Sequence, residues 1–264
     1  AQTENLRLLQ LTWAGADKYT RMENLPQSVV LANASGAFGT IIAEYAIGSL
    51  VALYRSFGRY WSNKQAHIWQ KYDHAETISG KTALVLGMGD IGANVARRLK
   101  VFGAAVLGVK RTAVSAVPAD FEEAHTLDAL DALLPRADIV IGCLPNTRET
   151  AGLLTAERLH AMKAGAVLVN VGRGSLAGTD DLVSALQDGH LGGAALDVFE
   201  TEPLPADCPL WDMENVLLTP HIAGPSFGGS ADVQNTIWHI CMDNLERYLT
   251  GNPLKNVVNR SEGY

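Results

Sequence analysis

The run Leu86-Gly87-Met88-Gly89-Asp90-Ile91-Gly92 decides the fold. The apolar stretch Thr82–Leu86 leads into it and a helix-like stretch, Ile91–Phe102, leads out. A lone G-x-G-x-x-G carries little weight, because glycine is common; between a strand and a helix it is the dinucleotide fingerprint. Gly87 permits the tight turn, Gly89 lets a pyrophosphate approach the backbone, and Gly92 lets the helix pack closely on the strand. The helix N-terminus offers unpaired N–H groups and a positive dipole end to the phosphates. The competing reading is an ordinary glycine-rich strand-to-helix turn.

Outward from the fingerprint, short apolar runs alternate with helical stretches. Strands are expected at Thr82–Leu86, Ala105–Val109, Ile139–Cys143, Ala166–Val171, Gly193–Asp197 and Val216–Leu218. Runs of this kind, apolar throughout, read as strands buried on both faces. Thr155 is expected to cap a helix over Ala156–Met162, and Thr179 one over Asp180–Gln187. The alternation predicts an α/β fold, a Rossmann-like doubly wound parallel sheet. Before Lys81 the pattern changes: Leu8–Thr12 and Val29–Ala32 read as two further strands, and Ile41–Arg59 as one long apolar helix. Ser230–Leu249 reads as an amphipathic helix stopped by Gly251 and Pro253, and Pro253–Tyr264 adds little regular structure. Residues 43–234 are therefore expected to form the dinucleotide-binding domain, with 1–42 and 235–264 in a smaller substrate domain.

Composition narrows the classes. The 264 residues suit two modest domains. A hydrophobic fraction of 47% and a charged fraction of 19% are those of a soluble globular protein. A net charge of −7 has nothing of the basic face of a nucleic-acid binder. No apolar run approaches the roughly 18 residues of a membrane span. Cys143, Cys208 and Cys241 are odd in number and far apart, which fits a reducing cytoplasm better than a disulfide framework. No metal-ligand spacing is present.

About 20 residues past a dinucleotide fingerprint, an acidic residue is expected to hold the ribose 2′-OH. Here Lys110-Arg111-Thr112 follows the second strand. An Arg fork binds a 2′-phosphate, so this position favours NADP over NAD, with NAD still possible. Two solvated charges at a strand end are the plainer alternative.

Three ionisable residues follow later strands: Arg173 in Val171-Gly172-Arg173-Gly174, Glu202 in Glu200-Thr201-Glu202-Pro203, and His221 in Pro220-His221-Ile222-Ala223-Gly224. Ligands of open α/β sheets bind beyond the carboxyl ends of the strands, so all three can converge there. Singly, each reads as a surface charge, a loop carboxylate or a structural histidine. Together they make chemical sense. A carboxylate beside an imidazole orients it for acid–base work near neutral pH. An Arg holds a substrate carboxylate and polarises the adjacent carbonyl. The set suits hydride transfer to a 2-oxo acid.

With these residues in view, the chain resembles the D-isomer-specific 2-hydroxyacid dehydrogenases, nearest to the NADP-linked glyoxylate/hydroxypyruvate reductases. The likeness runs through Trp13-Ala14-Gly15-Ala16-Asp17, Asn33-Ala34-Ser35-Gly36, Ile42-Ala43-Glu44, the fingerprint, Leu144-Pro145-Asn146-Thr147, Val171-Gly172-Arg173-Gly174, Leu196-Asp197-Val198-Phe199, Glu202-Pro203 and Pro220-His221-Ile222-Ala223-Gly224. The resemblance implies catalysis by Arg173, Glu202 and His221, with His221 protonating the developing alkoxide. It implies a cofactor held by Gly87, Gly89, Asp90, Ile91, Gly92, Lys110, Arg111 and Thr112, then by Leu144, Pro145, Val171, Gly172, Arg173, Asp197 and His221. It places the substrate against Ala14, Gly15, Ala16, Arg173, His221 and Ser226, and implies no metal. Members of this family dimerise through the nucleotide domain, and Trp69 is the nearest match to a Trp that reaches the partner's site in the reductases.

Two departures from the family pattern stand out. Lys110-Arg111-Thr112 replaces the acidic residue of NAD-linked members. Family chains also begin on the order of 50 residues earlier, about one βαβ unit, so the flavodoxin-like substrate domain is expected to be N-terminally incomplete and this chain to be part of a longer one. Glu202, where formate dehydrogenases carry Gln, argues against that branch. The rival readings are an NAD-linked D-lactate or phosphoglycerate-type dehydrogenase and a nucleotide-sensing, corepressor-like binding protein.

Overall fold

A computed structural model describes residues 5–73 and 75–264. In chain order its elements are β1 (Leu8–Gln10), α1 (Asp17–Thr20), β2 (Val30–Ala32), α2 (Gly39–Tyr54), α3 (Phe57–Gln65), β3 (Thr82–Leu86), α4 (Asp90–Val101), β4 (Ala105–Lys110), β5 (Glu123–Thr126) and α5 (Leu130–Leu133). They continue with β6 (Ile139–Gly142), α6 (Ala156–Ala161), β7 (Ala166–Asn170), α7 (Thr179–Gln187), β8 (Leu191–Leu196), β9 (Val216–Leu218) and α8 (Ala231–Thr250).

Strands β3 to β9 form one parallel sheet in the order β5-β4-β3-β6-β7-β8-β9. The order reverses between β3 and β6, which makes the topological switch point of a doubly wound fold. The unbroken apolar runs are explained by burial on both faces. Ala83 and Val85, Ile139 and Ile141, and Val167 and Val169 face a core shared with α2 and α4. Leu84 and Leu86, Val140 and Leu168 face a second core closed by α5, α6 and α7. A strand of this kind has no polar face to alternate with.

The smaller sheet pairs β1 and β2 in parallel, and Leu11, Ala16, Leu31 and Val258 form its own core. The fully buried Asn244 of α8 ties that sheet to the chain beyond: its amide donates to Gln10 Oε1 (2.7 Å) and Lys255 O (2.9 Å). Val257 bridges Ala32 antiparallel, and the Val258 N–H reaches Leu31 O at 2.8 Å. The 253–264 segment has little regular structure, yet it packs as part of this unit.

Four local expectations are corrected. The helix expected over Ile41–Arg59 is two helices, α2 and α3, because Ser56 takes a left-handed conformation at φ 52°. Strand β5 was not expected; its Glu-Ala-His-Thr sequence carries no apolar run, since an edge strand needs none. Thr179 begins α7 rather than capping it, and its N–H and hydroxyl both donate to Glu200. Leu8–Thr12 yields only three strand residues. Thr155 does cap α6, accepting from Arg158 N–H. No described helix is long and apolar enough to cross a membrane.

Candidate active site

The switch point opens at the carboxyl ends of β3 and β6. Gly87, at φ 103°, makes the turn out of β3, and a Cβ there would lie 2.9 Å from Cys143 O. Helix α4 starts at once, with Gly89 as its N-cap and no side chain filling the cap. A Cβ on Gly89 would meet nothing within 4 Å, whereas one on Gly92 would lie 1.7 Å from Gly87 O. The first glycine leaves an open cradle over the helix N-terminus, and the second is required by packing. Backbone donors, positive dipole and an uncrowded approach together fit a dinucleotide pyrophosphate.

Beside this turn lies a cleft of about 580 Å³. Ile91, Leu144, Pro145, Val171, Gly172, Arg173, Asp197 and His221 line it from the larger sheet, with Ser226 beyond. Ala14, Gly15 and Ala16 line it from the smaller one. The fold thus gathers most of the expected site residues around one space. Lys110, Arg111 and Thr112 stand at the end of β4, outside that wall, and Glu202 reaches the cleft through His221.

Asn170, buried at the end of β7, shapes the turn that presents Arg173. Its amide donates to Arg173 O (3.0 Å) and its carbonyl accepts from Gly172 N–H (3.2 Å). Arg173 Nε donates to Asp17 Oδ2 at 2.8 Å, and Nη1 donates to Gly172 O at 2.7 Å. Nη2 lies against Gly15 so closely that a Cβ there would sit 1.9 Å from it. Two of the three guanidinium nitrogens are therefore engaged by the protein, and the third is aimed where the two sheets face each other. Asp17 closes the Trp13–Asp17 motif without a role that the sequence reveals; its contact with Arg173, 156 residues away in sequence, depends on the tertiary fold.

His221 is held from two sides. Its Nδ1 lies 2.9 Å from Glu202 Oε2, while Glu202 Oε1 accepts from Phe199 N–H at 3.0 Å. Its backbone is left-handed at φ 55°, with the N–H shared between Asp197 O and Thr219 O. A non-glycine residue kept there needs surroundings that enforce it. Asp197, 2% exposed, supplies them: its carboxylate accepts from the Thr219 hydroxyl (2.6 Å) and from the N–H groups of Ile222 (2.8 Å) and Ala223 (2.9 Å). The Tyr45 hydroxyl adds a contact to Thr219. Asn33 plays a similar part on the opposite wall, donating to Ala14 O at 2.7 Å. Desolvation pushes the Cys143 thiol on the cleft floor up to about 12. No group of three or more His, Cys, Asp or Glu residues able to hold a metal occurs among the described residues.

Arg111 is engaged within the chain, through Glu262 at 2.7 Å and the ring of Tyr264 at 5.1 Å. Trp69 is 99% exposed and lies away from the cleft walls.

Comparison with known proteins shows the family and the fold. Residues 47–223 match the family model of the D-isomer specific 2-hydroxyacid dehydrogenase NAD binding domain. A glyoxylate reductase of Thermofilum pendens is 32% identical over 97% of this chain and 76% of its own length. A D-3-phosphoglycerate dehydrogenase of Mycobacterium leprae is 33% identical, but the chain spans only 49% of it. The solved structure of an NADPH-dependent glyoxylate/hydroxypyruvate reductase from Sinorhizobium meliloti, bound to NADP and sulfate, superposes with a TM-score of 0.86 at 31% identity. That match covers 99% of this chain and 81% of the other.

Proposed function

The chain belongs to the D-isomer specific 2-hydroxyacid dehydrogenase family, and on that footing we propose that it reduces small 2-oxo acids such as glyoxylate or hydroxypyruvate, using NADPH in preference to NADH. The observation that carries the reading is the gathering of Arg173, His221 and Glu202 at one cleft beside an open fingerprint turn. When bound, the reduced nicotinamide supplies the hydride that the carbonyl carbon receives. The cofactor would be held by Gly87–Gly92 and α4 at its pyrophosphate, by Lys110, Arg111 and Thr112 at its adenosine end, and by the Leu144-Pro145 and Val171-Gly172 turns beyond.

The protein's own residues do the rest. Arg173, fixed by Asp17 and Gly172, offers its remaining nitrogen to the substrate carboxylate and carbonyl oxygen. Ala14–Ala16 contribute backbone on the opposite wall. With Nδ1 on Glu202, the Nε2 of His221 is the ring nitrogen left to give a proton to the carbonyl oxygen as it becomes an alkoxide. Glu202 holds the ring and offsets the charge of its protonated form. The same atoms run the reverse oxidation, with His221 taking the proton.

The separate small core of Leu11, Ala16, Leu31 and Val258 supports a substrate domain built from both chain ends, assigned as 1–42 with 235–264 beside a cofactor domain of 43–234, although Phe38, Ile42 and Ile237 pack into the larger core. The exposed aromatics Phe57, Trp61 and Trp69 support a homodimer, and the unpaired Cys143, Cys208 and Cys241 support a cytoplasmic setting. A phosphoglycerate-type activity is the second reading, favoured by the Mycobacterium leprae relative. A panel of 2-oxo acids assayed with both cofactors tests the proposal. Turnover of glyoxylate or hydroxypyruvate with NADPH supports it; turnover confined to NADH and 3-phosphohydroxypyruvate, the 2-oxo partner of 3-phosphoglycerate, selects the second reading.

A further inference from the structure

Arg111 follows β4 directly, at the strand end where the adenosine ribose of a dinucleotide is read. Its guanidinium is nevertheless committed to a segment from the other end of the chain. Beyond the bridge at Val257, Arg260 anchors that segment, donating to Leu25 O (3.2 Å), Pro26 O (3.1 Å) and Val29 O (2.7 Å). Residues 259–264 then fold into a turn closed by Asn259 N–H on Tyr264 O (3.0 Å) and Gly263 N–H on Asn259 O (2.9 Å). The turn delivers two side chains to one cation: Glu262 Oε2 lies 2.7 Å from Arg111 Nη2, and the Tyr264 ring lies 5.1 Å from the guanidinium carbon. Tyr264 also lines the cleft together with Pro145. The segment is a strap rooted on the smaller sheet that lies across the adenosine end of the groove.

A carboxylate and a 2′-phosphate ask for the same planar fork. We propose that Glu262 is a built-in competitor for the cofactor's 2′-phosphate at Arg111, so that this strap residue sets the ratio of NADPH to NADH affinity. The inference rests on the NADP reading above. Both partners of the pair are partly exposed, Arg111 at 37% and Glu262 at 38% of their side chains, so the carboxylate swings out into solvent without unpacking the fold. Tyr264 stays against the guanidinium by cation–π attraction and keeps it oriented for the phosphate. A second carboxylate, Glu149, also acts electrostatically on Arg111 and Tyr264. NADH carries no 2′-phosphate and does not contest the fork.

The test is titration calorimetry of NADPH and NADH on the full-length protein, Glu262→Gln, Arg111→Ala and the double variant. Glu262→Gln is expected to tighten NADPH by about two- to fivefold, the size of an exposed ion pair, with NADH affinity unmoved. The gain should shrink as salt is raised and vanish in the Arg111→Ala background. If Arg111→Ala weakens NADPH but Glu262→Gln leaves it unchanged, weakens it or tightens both cofactors alike, the competition is refuted and the NADP reading stands. If Arg111→Ala leaves NADPH affinity unaltered, Arg111 is not a phosphate ligand and the underlying reading falls with the proposal.

Discussion

Gly89 and Gly92 have different tasks in the fingerprint, and the structure predicts different consequences for replacing them by alanine. At Gly92, inside α4, helix propensity alone would make alanine stabilising by about 0.5–1 kcal/mol. The new Cβ would, however, lie 1.7 Å from Gly87 O, a backbone atom that cannot rotate away. Helix and turn must separate by more than about 1 Å. Overpacking of that kind costs about 1–3 kcal/mol and outweighs the propensity gain. At about 2–4 °C per kcal/mol for a protein of this size, the Tm of Gly92→Ala should fall by several degrees. NADPH binding should suffer too, because the displaced helix end no longer presents its N–H groups. At Gly89 the Cβ meets no protein atom within 4 Å, and the backbone is extended at φ −80°, ψ −159°. Gly89→Ala should therefore keep its Tm within about 1–2 °C and lose NADPH affinity by about tenfold or more. Differential scanning calorimetry without cofactor, followed by NADPH titration, separates the two. A Gly92→Ala protein with raised Tm, or a Gly89→Ala protein with parental NADPH affinity, would refute this account of the cradle.

Three further outcomes are expected. Glu202→Ala should cut kcat by about tenfold or more at nearly constant KM, because the His221 ring loses its orienting partner; steady-state kinetics check it. Asp17→Ala should lower kcat/KM for a 2-oxo acid by about tenfold while leaving the NADPH Kd unchanged, with Asp17→Asn milder because it keeps an acceptor for Arg173 Nε; an equal loss in both variants would mean charge, not placement, matters there. Arg136 and His125 hold the Glu123 carboxyl down at about 2 from its ordinary 4.5. Its contribution is present above about 4.5 and lost as pH falls toward 2, so Glu123→Gln should flatten the acid limb of Tm against pH in that window.

Legibility in the sequence followed the range of the interactions. Strands β3, β6 and β7 could be read because burial on both faces leaves an unbroken apolar run that local inspection finds. Strand β5 could not, because it sits at the sheet edge and is stabilised by its pairing with β4 rather than by its own side chains. The break at Ser56 was hidden because serine carries no obligatory left-handed signal, unlike glycine. At the site, Arg173, Glu202 and His221 were visible as reactive side chains after buried strands. The residues that aim them were not. Asp17, Asn33 and Thr219 are ordinary polar residues until the fold brings them to their partners. Lys110-Arg111-Thr112 was legible as a basic strand end, but Glu262 and Tyr264 approach Arg111 from the far end of the chain. Asp197 reads from the resemblance as a cofactor-binding residue; its carboxylate also anchors the turn that bears His221, a structural task no motif records.

The most direct test of the central claim is the rate of NADPH consumption by the full-length protein with glyoxylate and with hydroxypyruvate, measured beside His221→Ala. The account predicts turnover of at least one of these acids, a higher kcat/KM with NADPH than with NADH, and a fall in kcat of about 100-fold or more in His221→Ala at unchanged NADPH affinity. Full activity in His221→Ala, or a folded, NADPH-binding protein that consumes neither acid, would contradict it.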